Sequence, residues 1–264
     1  MADGWILQPS LGVRSYTSNV YNSKSAPNMG ATFSNDRTKL YVNYTEGVLY
    51  PGAETYSLAK AIPAAFAANS QWNTIKPTES KHTEVGLKQV ISEKTQFDFS
   101  IFQDQISNRY TWSYMGAWSN TLPDYKINGA ELSLSHQLDS QWKVFGGVTA
   151  LNSSGLDVSN QLPYAPKTAV SLGATGRVNG YKLSFDAQHQ SSMYSLNQDR
   201  GGYTPSQVSG FTAANARVAY PTTSLGKRGE VYAQINNLFG ANYQYNAGYP
   251  MPGRNFRVGL IASF

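Results

Sequence analysis

The connections between the amphipathic stretches of this chain alternate between short and long, and few folds impose that order. Apolar and polar residues alternate with period two along about twelve segments, and a strand sends successive side chains to opposite faces. Val85 and Leu87 alternate with Glu84, Gly86 and Lys88. Phe97, Phe99 and Ile101 alternate with Gln96, Asp98 and Ser100, and Ala130, Leu132 and Leu134 with Glu131, Ser133 and Ser135. The same pattern runs through Trp5–Val13, Leu40–Tyr44, Trp142–Ala150, Val170–Ala174, Tyr181–Ala187, Ala214–Tyr220 and Val231–Ile235, with a weaker strand from Asn28 to Ser34. The last segment, Asn255–Phe264, puts Phe256, Val258, Leu260, Ala262 and Phe264 on one face, and the chain stops on that aromatic residue.

Short connections sit at 35–38, 92–95, 138–141, 177–180 and 221–227; long ones lie near 20–28, 49–79, 107–124, 152–165, 192–209 and 239–253. In an antiparallel meander this order puts every short turn on one rim and every long loop on the other. The expected fold is therefore all-β: an antiparallel transmembrane β-barrel of about twelve strands, with short periplasmic turns and long extracellular loops, spanning 1–264 as a single domain. An even strand count puts both termini on the short-turn rim. A β-sandwich or soluble barrel is the competing reading, because it too alternates apolar with polar residues. It has no reason to sort its loops by length.

Charge placement agrees with a wet lumen. Glu84, Lys88, Asp98, Glu131, Lys143, Lys182, Asp186, Arg217, Glu230 and Arg257 mostly share parity with polar neighbours. Trp5, Tyr44, Trp142, Tyr181, Tyr220 and Phe264 lie near strand ends, where interfacial girdles form. Charged residues are 14% of the chain and aromatics 13%, against about 25% charged in soluble proteins. The longest apolar run, Ala61–Ala68, holds Pro63 and is far shorter than the roughly 20 residues of a spanning helix. The Ala-rich part of 49–78 suits one or two helical turns. A chain without cysteine has neither disulfides nor thiolate metal sites. Net charge is +5, but no basic run marks a nucleic-acid surface. Met1-Ala2-Asp3-Gly4 is no secretory signal, so the start reads as a mature or engineered N-terminus or a cut within a longer protein.

Little catalytic chemistry is legible. His82 shares the face of Glu84, whereas His136 and His189 fall on the apolar face near opposite rims, so no metal site is expected and no cofactor is implied. A Ser–His pair on the barrel wall is the one enzymatic alternative. The long loops are aromatic: Tyr110, Trp112, Tyr114, Met115 and Trp118 in one, Tyr194, Arg200 and Tyr203 in another, Tyr243, Tyr245 and Tyr249 in the last. Aromatic faces with arginine suit capture of an aromatic, anionic metal chelate. The candidate ligand contacts are Tyr110, Trp112, Tyr114, Trp118, Tyr194, Arg200, Tyr203 and Tyr245.

Several stretches carry a family likeness. Ile75–Lys88 (IKPTESKHTEVGLK) resembles a strand entry of TonB-dependent outer-membrane transporters, and Asn128–Leu132 is similar to their Gly-x-Glu strand. Ile235-Asn236-Asn237-Leu238-Phe239 with Tyr243 resembles their Asn-Asn-Leu-Phe-Asp…Tyr box, although Gly240 stands where Asp is usual. Tyr41–Tyr50, Pro252–Phe256 and Phe264 complete the set. Such transporters have an N-terminal plug inside a 22-stranded barrel and a segment that engages TonB; this chain resembles only the C-terminal half of the barrel. The likeness implies an uptake receptor for a metal chelate, an iron-siderophore above all. Its implied partners are the bilayer with its lipopolysaccharide, the assembly machinery reading Phe264, and the TonB complex where a plug is supplied elsewhere. A stand-alone porin-like channel of about twelve strands is the alternative.

Overall fold

The computed structural model describes residues 4–52, 75–112, 118–119, 123–155, 162–199, 202–222, 224 and 229–262. In chain order its strands are β1 (Ile6–Tyr16), β2 (Lys24–Ser34), β3 (Thr38–Leu49), β4 (Thr78–Ser92), β5 (Thr95–Ser107), β6 (Thr111–Trp112), β7 (Trp118–Ser119), β8 (Tyr125–Gln137) and β9 (Lys143–Ser154). Then come β10 (Thr168–Val178), β11 (Tyr181–Gln190), β12 (Met193–Asp199), β13 (Gly202–Val208), β14 (Phe211–Thr222), β15 (Gly229–Asn236), β16 (Gln244–Asn246), β17 (Tyr249–Pro250) and β18 (Asn255–Ile261). Twelve of them form one antiparallel sheet in the order β1-β2-β3-β4-β5-β8-β9-β10-β11-β14-β15-β18. The pairs β6–β7, β12–β13 and β16–β17 are small ladders within the long loops. The sheet is open: among the described residues, β1 and β18 each bond a single neighbour.

Register proves the two faces. Leu7, Phe33, Leu40, Leu87, Phe99, Leu132, Val148 and Val170 stand side by side from β1 to β10. Ala174, Phe185, Ala216, Ile235 and Phe256 carry the apolar band on to β18. On the reverse face Lys39, Lys88, Asp98, Ser133, Gly147, Ser171 and Gln188 line up across β3 to β11. The apolar band is bare: Leu11 is 86% exposed and Val258 81%. No second sheet of comparable size packs on it among the described residues, so a sandwich core is excluded and hydrocarbon is the natural neighbour. All ten charged residues that parity assigned to the lumen lie on the polar face.

The short connections are tight turns with local chemistry. Asn35 Oδ1 accepts from Arg37 N at 2.9 Å and Thr38 N at 2.7 Å. Asp139 Oδ1 accepts from Gln141 N and Trp142 N, both at 2.7 Å. Asn179 and Gly180 take φ of 50° and 83°, the left-handed pair of a two-residue hairpin. Such turns fix register. Strands joined by long loops have no turn to do so, and here a different device recurs. Tyr41 on β3 lies over Gly86 on β4, Phe102 on β5 over Gly129 on β8, Phe145 on β9 over Gly173 on β10, and Tyr232 on β15 over Gly259 on β18. Each of these pairs joins strands linked by a long loop, and each faces the lumen. A ring laid along the wall fits only where the opposite residue has no side chain, so a slipped register meets a clash.

One expectation changes. β2 begins at Lys24, not Asn28, so the first long loop is only 17–23. Within the long connection expected near 192–209 the chain forms a hairpin of its own, β12–β13. The helical turns expected in 49–78 lie mainly outside the described residues, as does Phe264.

Leu132→Lys is expected to cost about 2–4 kcal/mol of folding stability in lipid vesicles, against roughly 0–1 for Ser133→Lys next to it. Equal costs in denaturant titration would reverse the assignment of faces. Gly86→Ala should destabilise by about 1–3 kcal/mol, and adding Tyr41→Ala should recover part of that loss in the same titration.

Candidate functional site

Period-two parity carries the lumen wall up to the long-loop rim, and the polar face there holds the groups able to meet a solute. Deep on this face a concavity of about 560 Å³ is lined by Tyr41, Glu84, Lys88, Asp98, Glu131 and Gln188 among others. Tyr41 OH donates to Glu84 at 2.9 Å, and Lys88 lies 3.8 Å from Asp98. The inward charges are mixed with a bias: Glu84, Asp98, Asp104 and Glu131 outnumber Lys88 on β4, β5 and β8, and Lys143, Arg177, Lys182, Arg217 and Arg257 outnumber Asp186 and Glu230 from β9 to β18. Glu230 takes both Lys182, at 2.9 Å, and Arg217, whose guanidinium also lies over the Tyr232 ring.

The histidines have ordinary partners. His82 Nδ1 is 2.7 Å from Asp104, and Nε2 is 3.7 Å from Glu84. The two carboxylates sit on different ring nitrogens, so they do not converge on one ion. The described residues contain no group of three or more His, Asp or Glu able to hold a metal. His136 and His189 lie on the apolar face, as parity predicts, each bonded across strands to a threonine: Thr95 at 2.8 Å and Thr212 at 2.9 Å. The partner is thus threonine, not the serine that a wall hydrolase would need.

At the long-loop rim stand two aromatic clusters. The first joins loop 17–23 to the end of β3. Tyr50 stacks on Tyr21 at 5.7 Å and meets Tyr16 edge-on at 6.3 Å, while its hydroxyl donates to Asn22 O at 2.8 Å. Lys24, paired with Glu79 at 2.8 Å, and Lys76 share a cleft of about 450 Å³ with Tyr21. Sequence reasoning missed this cluster, because its residues are scattered through segments read as strand ends; the spacing of tyrosines about the first loop is the signal that was available. The second cluster is Phe211, Tyr243 and Tyr245. Phe211, buried at the start of β14, stacks on Tyr243 at 4.3 Å and meets Tyr245 edge-on at 5.4 Å. Tyr245 OH accepts from Gln188 Nε2 at 2.8 Å. Burial, with Tyr245 second, pushes the Tyr243 phenol above its ordinary range, so it stays a neutral donor.

Of the predicted contacts, Tyr245 and Tyr194 belong to one assembly. Ala247 N, beyond Tyr245, donates to the buried Ser195 Oγ of β12 at 3.0 Å, and Tyr194 O accepts from Tyr164 N at 2.7 Å. Tyr164, itself at φ 61°, uses one hydroxyl to donate to Leu196 O and accept from Leu196 N, both at 3.0 Å. Three loops are thereby tied together. Tyr203 stands opposite Gln198 in the β12–β13 ladder. Tyr110 follows β5, and Trp112 pairs with Trp118 across β6–β7. Tyr114 and Arg200 lie outside the described residues.

Over residues 2–238 the sequence matches the family described as TonB dependent receptor-like, beta-barrel. Solved structures share the fold. The ferripyoverdine receptor of the outer membrane of Pseudomonas aeruginosa, bound to ferripyoverdine, is 18% identical with a TM-score of 0.70, over 96% of this chain and 36% of that one. The FrpB iron transporter from Neisseria meningitidis is 14% identical (TM-score 0.67; 90% and 39%). The copper transporter OprC is 19% identical (TM-score 0.68; 90% and 40%). The chain thus spans well under half the length of these structures.

Tyr164→Phe should free the edge of β12. Hydrogen exchange is expected to speed about tenfold at Leu196 and its neighbours while the twelve-stranded sheet keeps its protection.

Proposed function

This chain belongs to the TonB-dependent receptor-like β-barrel family, and from that footing we propose that it walls part of a receptor taking up a metal chelate, an iron-siderophore above all. Its compartment is the outer membrane of a Gram-negative cell, and its family transports and does not catalyse. The observation that carries the reading is the pair of aromatic clusters at the long-loop rim, each beginning on a lumen-facing row of the wall. Tyrosine rings stack on flat aromatic chelating groups, and their hydroxyls donate to chelate oxygens. Lys24, Lys76 and Glu79 line the cleft beside the first cluster, with Glu79 paired to Lys24, so that cleft offers polar contacts next to the rings.

Hydrocarbon does not tolerate unpaired strand edges. In the membrane β1 and β18 therefore pair, either with further strands of the same wall or with each other. Where a plug is supplied elsewhere, the TonB complex drives uptake through it, and the outer loops make contact with lipopolysaccharide. Copper chelates stand beside iron chelates as candidate cargo, since a copper transporter shares the fold.

One observation favours a second reading, a passive porin-like channel. The lumen face carries charges of both signs, with an acidic excess from β4 to β8 and a basic excess from β9 to β18, and charged linings of this kind act on ions in an open pore.

The discriminating measurement is equilibrium binding of ferric catecholate and ferric hydroxamate chelates to outer-membrane vesicles from cells expressing the protein. The receptor reading expects saturable binding, weakened by about 5–30-fold in Tyr245→Ala and in Tyr21→Ala, a loss of about 1–2 kcal/mol each. Absence of saturable binding, together with steady ion conductance in planar bilayers, would establish the channel instead.

A further inference from the structure

The Tyr243–Tyr245 cluster lies on the lumen side because the last loop, 237–254, folds inward, and one buried side chain stands at the root of that fold. Asn237 is 3% exposed and sits at φ 51°, a left-handed conformation that asparagine adopts more readily than other non-glycine residues. Its amide makes contact with both limbs of the loop. Nδ2 donates to Ala241 O at 2.8 Å on the outgoing limb and to Pro252 O at 3.3 Å on the returning one, while Oδ1 accepts from Ala241 N at 2.8 Å. Its backbone N–H donates to Asn215 Oδ1 on β14 at 3.1 Å, and Asn215 Nδ2 donates to Asp186 on β11 at 2.7 Å. The anchor is thus braced across β11, β14 and β15.

Downstream of the anchor the loop turns at Gly240, whose N–H donates to Asn237 O at 2.8 Å. It then lays Tyr243 on Phe211 and brings Tyr245 to Gln188, both on the lumen side. Met251 N bonds back to Tyr243 O at 2.8 Å and closes the fold.

We propose that Asn237 is the positioning residue of the ligand mouth: it holds loop 237–254 as an inward strap whose tyrosines form one side of the binding surface, without touching ligand itself. The proposal rests on the receptor reading for its functional meaning, but not for its structural content. The chemistry specifies the residue. Aspartate keeps the acceptor for Ala241 N but loses both donors. Glycine keeps the backbone conformation and loses every side-chain bond. Leucine or serine offers neither the conformation nor the paired donor and acceptor.

The chain has no cysteine, so the strap can be located by cross-linking. Gln188→Cys with Tyr245→Cys, joined by a short bifunctional maleimide, reports whether the loop lies against the wall. In the otherwise native background the link should form in most molecules. With Asn237→Gly or Asn237→Asp added, its yield should fall at least about fivefold, while heat-modifiable migration on gels still reports a folded barrel. Unchanged cross-linking in both variants overturns the proposal. If the glycine variant does not fold, the aspartate variant alone decides, because its backbone and volume are native-like. In parallel, the single variant Asn237→Asp should weaken binding of the ferric chelates about tenfold with unchanged thermal stability of the barrel. Lost cross-linking without chelate binding by any form leaves the anchor standing and refutes the receptor reading; retained cross-linking refutes the anchor whatever the ligand.

Discussion

A peptide group in hydrocarbon has nothing but another peptide group to bond, and this one constraint sets the rest of the structure. An unmet N–H or C=O there costs several kcal/mol, so every strand must bond a neighbour along its whole length. The ladder in turn forces side chains into two strict classes. Those on one face meet lipid and are Leu, Val, Phe and Ala. Those on the other meet water and include most of the strand charges; Glu46, Lys81 and Lys126 keep the apolar parity but sit toward the long-loop ends of their strands. Among the described residues the large apolar side chains are mostly exposed and only a few, such as Met193, Val208 and Phe211, are buried; the membrane takes the place of a packed second layer.

A wall built this way leaves the loops free to diversify, and the chemistry sits where the ladder ends. Both tyrosine clusters begin at the last bonded residues of lumen-facing rows: Tyr16 closes β1, and Phe211 opens β14. The sheet provides direction, because inward parity at the rim decides which side chains look over the mouth. The loops provide the groups. Hydrogen bonds between loops, from Tyr164 to Leu196 and from Ala247 to Ser195, then merge separate connections into one surface. Such cross-links are what allow loops of differing sequence to hold a shape without strands of the main sheet beneath them.

The legibility of the sequence follows the same division. Period two is imposed by geometry, so parity alone placed His82 with Glu84, and His136 and His189 on the opposite face, as the register bears out. The turn positions were readable for a similar reason, since Asn35, Asp139 and Asn179-Gly180 bond or bend locally. The start of β2 was not readable: Pro27 and small residues blur its alternation, yet pairing with β1 carries the strand back to Lys24. The Tyr16–Tyr21–Tyr50 cluster and the role of Asn237 were hidden because their partners are tens of residues away or are backbone atoms of a loop. Asn237 did stand in a stretch that carried a family likeness, but nothing in the letters says that its amide holds both limbs of a loop.

The rings laid over glycines have an evolutionary consequence. At each such site two positions are mechanically one. A side chain cannot be gained at Gly86 while Tyr41 keeps its place, and Tyr41 cannot shrink without baring a groove in the wall. Change must therefore pass through the aromatic partner first, and the path back is open only while the glycine survives. In a wall assembled from many nearly independent hairpins, these couples are the points where drift in one strand is answerable to its neighbour.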